Sequence, residues 1–281
     1  MRYRYWATGT GIIAALSLGI AQGTAQQTLQ VRTDRWLELK EVVGDVTREQ
    51  NGLSFKAKVG DRLTQPGDAI STGKQSSVKL IIDLGIGTIF VSENTKLRIS
   101  SLDFAPDNGR ITLLQVTGGQ VRLQIRHFNH DGSRLEIRSP AGVSGVRGTE
   151  FGMTVQPGGK TGLAVGRGRV VSAAQNRSVA VSQGFQNYTI PGKPPSSPVP
   201  LRNDTRLKYQ FQSHIQGGVR GIRLIGQVDP VNNVVVDKRP QSTDRNGRFV
   251  TDLLPLPNSL KFNVVVTTPL GKQQTYDLEY R

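Results

Sequence analysis

The sequence predicts an all-β protein built as a sandwich, a barrel or a short solenoid, and three observations lead there. Short runs rich in β-branched residues recur about every ten residues, several of them alternating apolar and polar positions. Turn residues separate the runs, and no window of 12 or more residues carries helical spacing. Glycine accounts for 32 of 281 residues, about 11% against a usual share of roughly 7%. A chain of this length holds one or two ordinary domains, and its apolar content suits a globular protein.

In order, the runs fall at 78–82, 88–92, 97–99, 111–116, 120–125 and 135–138. Asp83-Leu84-Gly85, Asp107-Asn108-Gly109, Thr117-Gly118-Gly119 and Asp131-Gly132 are the turns expected between them. The stretch QVRLQIR at 120–126 alternates without a break, so one face is expected to be buried and the other charged. Residues 191–200, PGKPPSSPVP, have five prolines in ten positions and read as an extended, semi-rigid linker. The linker divides a larger part, 36–190, from a smaller one, 201–281.

The N-terminus sets the expected compartment. Arg2 and Arg4 precede an uninterrupted apolar stretch, GIIAALSLGIA at 11–21, with small residues after it. This is the pattern of a secretory signal peptide, with a cut expected after Ala25 and an alternative cut after Gly23. Eleven apolar residues fall short of the roughly 20 that span a bilayer, although Tyr5 and Trp6 could extend an uncleaved anchor. With no Cys after the apolar run, a lipid-anchored lipoprotein is excluded. The formal charge of +15 points at first to nucleic acid. Removal of residues 1–25 leaves +13, of which +10 lies after residue 139, and export makes an anionic envelope polymer or a membrane surface the better match. The expected place is the periplasm or cell envelope.

The residues from 59 onward resemble a known family. Val59-Gly60-Asp61-Arg62-Leu63, Asp68-Ala69-Ile70-Ser71-Thr72-Gly73, the strand at 78–82 and the segment 89–97 are similar to the opening of the FecR domain. The resemblance is strongest at Ser139-Pro140-Ala141-Gly142-Val143-Ser144, followed by Gly145-Val146-Arg147-Gly148-Thr149-Glu150-Phe151. Gly166-Arg167-Gly168-Arg169-Val170 and 179–184 are similar to the family's closing segments. The resemblance implies an extracytoplasmic β-rich domain of the kind that relays occupancy of an outer-membrane iron-transport receptor to a sigma factor. It is expected here in an exported form without the cytoplasmic anti-sigma segment. On the residues themselves, Gly145 and Gly148 suggest a tight bend, pinned by a charge pair between Arg147 and Glu150.

In the tail, Asp244-Arg245-Asn246-Gly247-Arg248-Phe249 marks a hairpin turn, and a proline turn and a Val-rich strand follow. The arrangement resembles bacterial immunoglobulin-like modules of cell-surface proteins, a likeness that fixes no ligand.

Composition and spacing leave little room for catalysis. Zero Cys excludes disulfides, cysteine nucleophiles and Cys-ligated metals. Ser71-Thr72-Gly73-Lys74, Ser92-Glu93-Asn94 and Lys160-Thr161-Gly162 match the three short elements of penicillin-binding enzymes, but here Thr72-Gly73 falls in a turn rather than at a helix start. His127, His130 and Asp131 sit on a turn with no further His or Cys nearby, and the Asp244–Gly247 turn lacks the terminal Glu of a calcium loop. No catalytic, cofactor-binding or metal-binding residues are therefore assigned. The first expectation is a non-enzymatic exported protein that binds a protein partner or an anionic wall or lipid polymer. Arg167, Arg169, Arg177, Arg220, Arg223, Lys238, Arg239, Arg245 and Arg248 are its candidate contacts. The alternative is a periplasmic regulatory or sensor protein of FecR type, linked to metal-uptake signalling.

Overall fold

A computed structural model describes residues 34–216, 219–255 and 260–280. The expected signal segment, 1–25, lies outside them. No helix occurs among the described residues, and the chain is all-β.

The first part contains β1 (Leu37–Val43), β2 (Val46–Gln50), β3 (Leu53–Lys56), β4 (Arg62–Leu63), β5 (Ala69–Thr72), β6 (Ser77–Ile82), β7 (Gly87–Val91), β8 (Lys96–Phe104) and β9 (Arg110–Ile125). It continues with β10 (Arg134–Ser139), β11 (Gly142–Val146), β12 (Glu150–Val155), β13 (Thr161–Arg167), β14 (Arg169–Ala174), β15 (Arg177–Ser182), β16 (Phe185–Thr189) and β17 (Val199–Pro200). One sheet runs β4-β1-β6-β7-β9-β12-β13-β16-β17. The other runs β3-β2-β5-β8-β9-β10-β11-β14-β15, with β10 parallel to β9. Inward residues of both sheets, among them Leu39, Leu80, Ile89, Leu97, Leu114, Leu123, Ile137, Phe151 and Val170, form one core. The architecture is thus a two-sheet sandwich rather than a solenoid, and the sheets share β9.

That sharing corrects one expectation. Residues 111–116 and 120–125 are not two strands with a turn at Thr117-Gly118-Gly119 but one 16-residue strand that bends there and passes from the second sheet into the first. Gly119 makes the bend at φ 87°, and its backbone lies so close to the 94–95 corner that a Cβ would stand 2.1 Å from Thr95 Oγ1 and 2.6 Å from the Asn94 carbonyl oxygen. Only glycine satisfies both the left-handed conformation and the approach.

The expected linker lies on the sandwich. Val199 and Pro200 pair with β16 at the sheet edge, Pro195 is buried, and Ser196 N–H donates to the Tyr188 carbonyl at 2.9 Å. Proline lacks a donor, so an edge is where a sheet accepts such a stretch.

The second part contains β18 (Lys208–Gln216), β19 (Val219–Gln227), β20 (Asn233–Val236), β21 (Arg239–Gln241), β22 (Arg248–Val250), β23 (Leu254–Pro255), β24 (Leu260–Thr267) and β25 (Gln273–Tyr280). β19 pairs with β18, β22 and β23, while β21-β20-β24-β25 form a second sheet. Leu224, Val234, Phe249, Phe262 and Val264 fill the core between them. The turn at Asn246-Gly247 is present, with Gly247 at φ 79°. It is not a hairpin, because β21 before it and β22 after it belong to different sheets.

Replacing Gly119 with Ala is expected to cost about 3 kcal/mol or more in a urea unfolding curve. Gly118→Ala, whose added Cβ would meet nothing within 4 Å, should change stability by less than about 1 kcal/mol.

Candidate functional site

The Gly145–Phe151 motif forms a corner between the two sheets. β11 ends at Val146, β12 begins at Glu150, and Gly148 turns the chain between them at φ 71°, where a Cβ would lie 2.8 Å from His127 Cα. Gly168 makes the neighbouring corner at φ 83°, and a Cβ there would lie 2.7 Å from the Gly148 carbonyl oxygen. The two glycine corners back onto each other, which accounts for glycine in both motifs. Thr149 and Phe151 are fully buried, and the Thr149 carbonyl accepts the Ile125 N–H at 2.8 Å.

The expected Arg147–Glu150 pair is not formed. Arg147 Nη2 binds Asp131 Oδ1 at 2.8 Å, and Glu150 Oε1 accepts a bond from Gln124 Nε2 at 3.4 Å. Strand register explains this: Glu150 lies opposite Gln124 on β9, whereas Arg147 precedes the corner and reaches the 131 turn.

Beyond this corner, β12 and β13 are buried on both faces. Phe151, Met153, Leu163 and Val165 point into the first core. The opposite face, with Gly152, Thr154, Gly162 and Ala164, is covered by loops of the second module. A Cβ on Gly152 would sit 1.8 Å from the Pro269 carbonyl oxygen, and one on Gly162 would sit 2.3 Å from that of Val231. Around these close approaches, side chains of the first sandwich bond to the backbone of the second. Thr154 Oγ1 donates to the Val231 carbonyl at 2.6 Å, Gln156 Nε2 to the Asn232 carbonyl at 2.8 Å, and Gln120 Nε2 to the Thr268 carbonyl at 2.8 Å. Gln156 Oε1 accepts the Thr243 N–H at 2.8 Å, and Asn233 Nδ2 donates back to the Gly119 carbonyl at 3.0 Å. The stretches 34–190 and 201–280 therefore belong to one compact unit.

Two charged side chains are buried at this junction among the described residues: Asp229, whose carboxylate accepts from Gln186 Nε2 at 2.9 Å, and Lys160, at 4% exposure. Its ammonium donates to Thr243 Oγ1 at 2.9 Å and to the Asp244 carbonyl, and it lies 4.8 Å from the Tyr188 ring centre. Burial pushes its pKa down to about 8, against the opposing pull of Asp244 and Asp229. Nearby, a cleft of about 450 Å³ opens between the 75–77, 92–94 and 118–120 corners and the β20–β21 and β24–β25 segments. Glu93 is the carboxylate in its lining, and it already accepts the Gln75 N–H at 2.7 Å.

The structure distributes the candidate basic residues. Arg167 and Arg169 flank Gly168 near Arg147, whereas Arg177 stands at the far end of the β14–β15 hairpin. Lys238 and Arg239 occupy the β20–β21 turn, where Arg239 faces Asp252 at 3.9 Å. Arg223 and Arg248 lie on β19 and β22 of one sheet, with Arg245 in the turn before Arg248. The side chain of Arg220 lies outside the described residues. The 71–74 and 92–94 elements meet, with Thr72 Oγ1 donating to the Ser92 carbonyl at 2.6 Å, but Ser71 sits within β5 rather than at a helix start and Lys160 is engaged by Thr243 of the second module at 2.9 Å. His127 Nδ1 lies 3.0 Å from the Phe128 carbonyl, and Asp131 is engaged by Arg147. Sequence reasoning missed the junction residues Gln120, Gln156 and Gly152. Their signal was the run of small and apolar residues in β12 and β13, which lacks the alternation of a half-exposed strand.

Comparison with known proteins agrees with the sequence resemblance. Residues 68–171 match the family described as FecR protein, so the first module carries a FecR domain. Two crystal structures of a "putative anti-sigma factor" from Parabacteroides distasonis are similar to this chain at 15% identity and a TM-score of 0.39. Each similarity covers 46% of this chain and 59% of that protein's length. No curated protein matches the sequence.

The state of Lys160 predicts a pH dependence. With its folded pKa near 8 and an ordinary value of 10.5, the folded protein binds fewer protons than the unfolded chain between those limits. Stability should therefore rise with pH across that window. Melting curves should show the rise in the native protein and lose it in Lys160→Met. A rise unchanged in the variant would assign it to other groups.

Proposed function

We propose that this chain is a non-enzymatic, exported regulatory protein of FecR type that acts by binding a protein partner outside the cytoplasm and modulates metal uptake. The observation that carries the reading is the match of residues 68–171 to FecR, with the Gly145–Phe151 motif at the corner between the sheets. The extracytoplasmic setting rests on the secretory pattern of residues 1–25.

The motif itself is occupied by the fold, since Thr149 and Phe151 are buried and the glycines hold the corners. Recognition then falls to exposed groups. The edge strand β3 offers one such surface: among the described residues it pairs with β2 alone, and Leu53 and Phe55 project from it at 63% and 43% exposure. An extended partner segment can add to such an edge through main-chain hydrogen bonds.

The test is cross-linking in intact cells with a photoreactive residue at position 53 or 55, together with deletion of the gene. The reading expects capture of a transport receptor or a membrane-bound regulator, and altered transcription of an uptake operon on deletion. Unchanged transcription together with a weakened cell surface would contradict it and favour a structural envelope role.

A further inference from the structure

We propose that the outer face of the sheet formed by β18, β19 and β22 binds an acidic polysaccharide. This surface lies on the second module, separate from the FecR domain, and does not depend on the regulatory reading above.

Strand register places the residues. Phe211, Leu224 and Phe249 turn inward to the second core, so the residues between them turn outward. The outward positions form four cross-strand rows among the described side chains: Lys208, Gln227 and Arg248; then Gln210, Ile225 and Val250; then Gln212 and Arg223; then His214 and Gly221. Two side-chain bonds agree with this placement. Arg223 Nε donates to Gln212 Oε1 at 2.9 Å, and Gln227 Nε2 donates to the Asn246 carbonyl at 3.2 Å.

The face carries a net positive charge. None of its outward positions is acidic, and Lys208, Arg223 and Arg248 form no ion pair among the described residues. Asp252 follows β22 beside Arg223, since the Thr251 N–H donates to the Leu224 carbonyl at 3.0 Å, and it lies 3.9 Å from Arg239; Asp244 spends Oδ1 on the N–H groups of Asn246 and Arg248 at 2.8 and 2.9 Å. With strands about 4.8 Å apart and successive rows about 6.8 Å apart, Lys208 and Arg248 stand roughly 10 Å from each other and Arg223 roughly 14 Å from both.

This chemistry fits one class of partner. Spaced cations meet the carboxylates of an acidic sugar chain, and glutamine amides between them both donate to and accept from hydroxyl groups. Nucleic acid is matched less well, because the rows that carry Lys208, Arg223 and Arg248 hold no Phe, Tyr or Trp ring on which a base could stack. A bilayer is matched less well too, because Ile225 is buried between its neighbours at 7% exposure instead of projecting.

The experiment measures binding of the full chain to polygalacturonate, with neutral dextran and phosphatidylglycerol vesicles as comparison probes. The triple variant Lys208→Gln, Arg223→Gln, Arg248→Gln is set against a triple of equal charge change elsewhere, Arg177→Gln, Lys193→Gln, Lys238→Gln. The proposal expects native binding to polygalacturonate but not dextran, at least about a tenfold loss in the face variant with a shallower salt dependence, and little change in the control. Lys208→Arg, Arg223→Lys, Arg248→Lys should retain binding. The proposal is overturned if the native chain ignores polygalacturonate, if both neutralising triples lose binding equally, or if the face variant loses vesicle binding alone.

Discussion

The Pro269 carbonyl oxygen occupies the space where a side chain at position 152 would begin, and the Val231 carbonyl does the same over Gly162. Much else depends on this contact between backbone and backbone. It requires two strands, β12 and β13, that are smooth on one face while filling the first core with the other. It also determines how the modules are joined. With no side chain between them, polar main-chain groups of the second module meet the sheet directly, and each needs a hydrogen-bond partner. Thr154, Gln156 and Gln120 supply the partners.

The junction is therefore unlike the two cores it connects. The cores are held by apolar burial, which is non-directional and tolerates exchange among similar shapes. The junction is a buried polar network, in which each lost partner leaves a donor or acceptor stranded, and such a network specifies one arrangement. Lys160 adds a cost at neutral pH, since its charge is held away from water and is offset by Thr243, the Asp244 carbonyl and the Tyr188 ring. A protein built this way joins the FecR domain and the second module through specific backbone contacts within one compact unit.

How much of this the sequence could disclose depended on the range of the forces involved. Strands such as β6, β7 and β10 were readable because one face is wet, which writes alternation into the residues. The bend in β9 was misread because Gly118-Gly119 is equally good chemistry for a tight turn and for a corner within a strand; the neighbour that decides, Thr95, is 24 positions away. The Arg147–Glu150 pair was inferred from sequence proximity, but register sends the two side chains to different neighbours. Residues 191–200 carry the composition of a linker, yet in the structure they line a sheet edge. Of the nine basic candidates, four fall on or beside one sheet, Arg220, Arg223, Arg248 and Arg245, because the pairing of β19 with β18 and β22 sets who stands next to whom.

The FecR-containing sandwich and the second module form one compact unit, and the backbone amide of Thr243 reports on it most directly. This amide lies in a loop of the second module, and its hydrogen-bond acceptor is Gln156 Oε1 of the first. Native-state hydrogen exchange should show Thr243 protected nearly as strongly as Val121 and Leu123 in the first core, because it opens only when the modules separate. Exchange at the rate of an exposed loop amide, with Val121 and Leu123 still protected, would show that the modules move independently and would contradict the account.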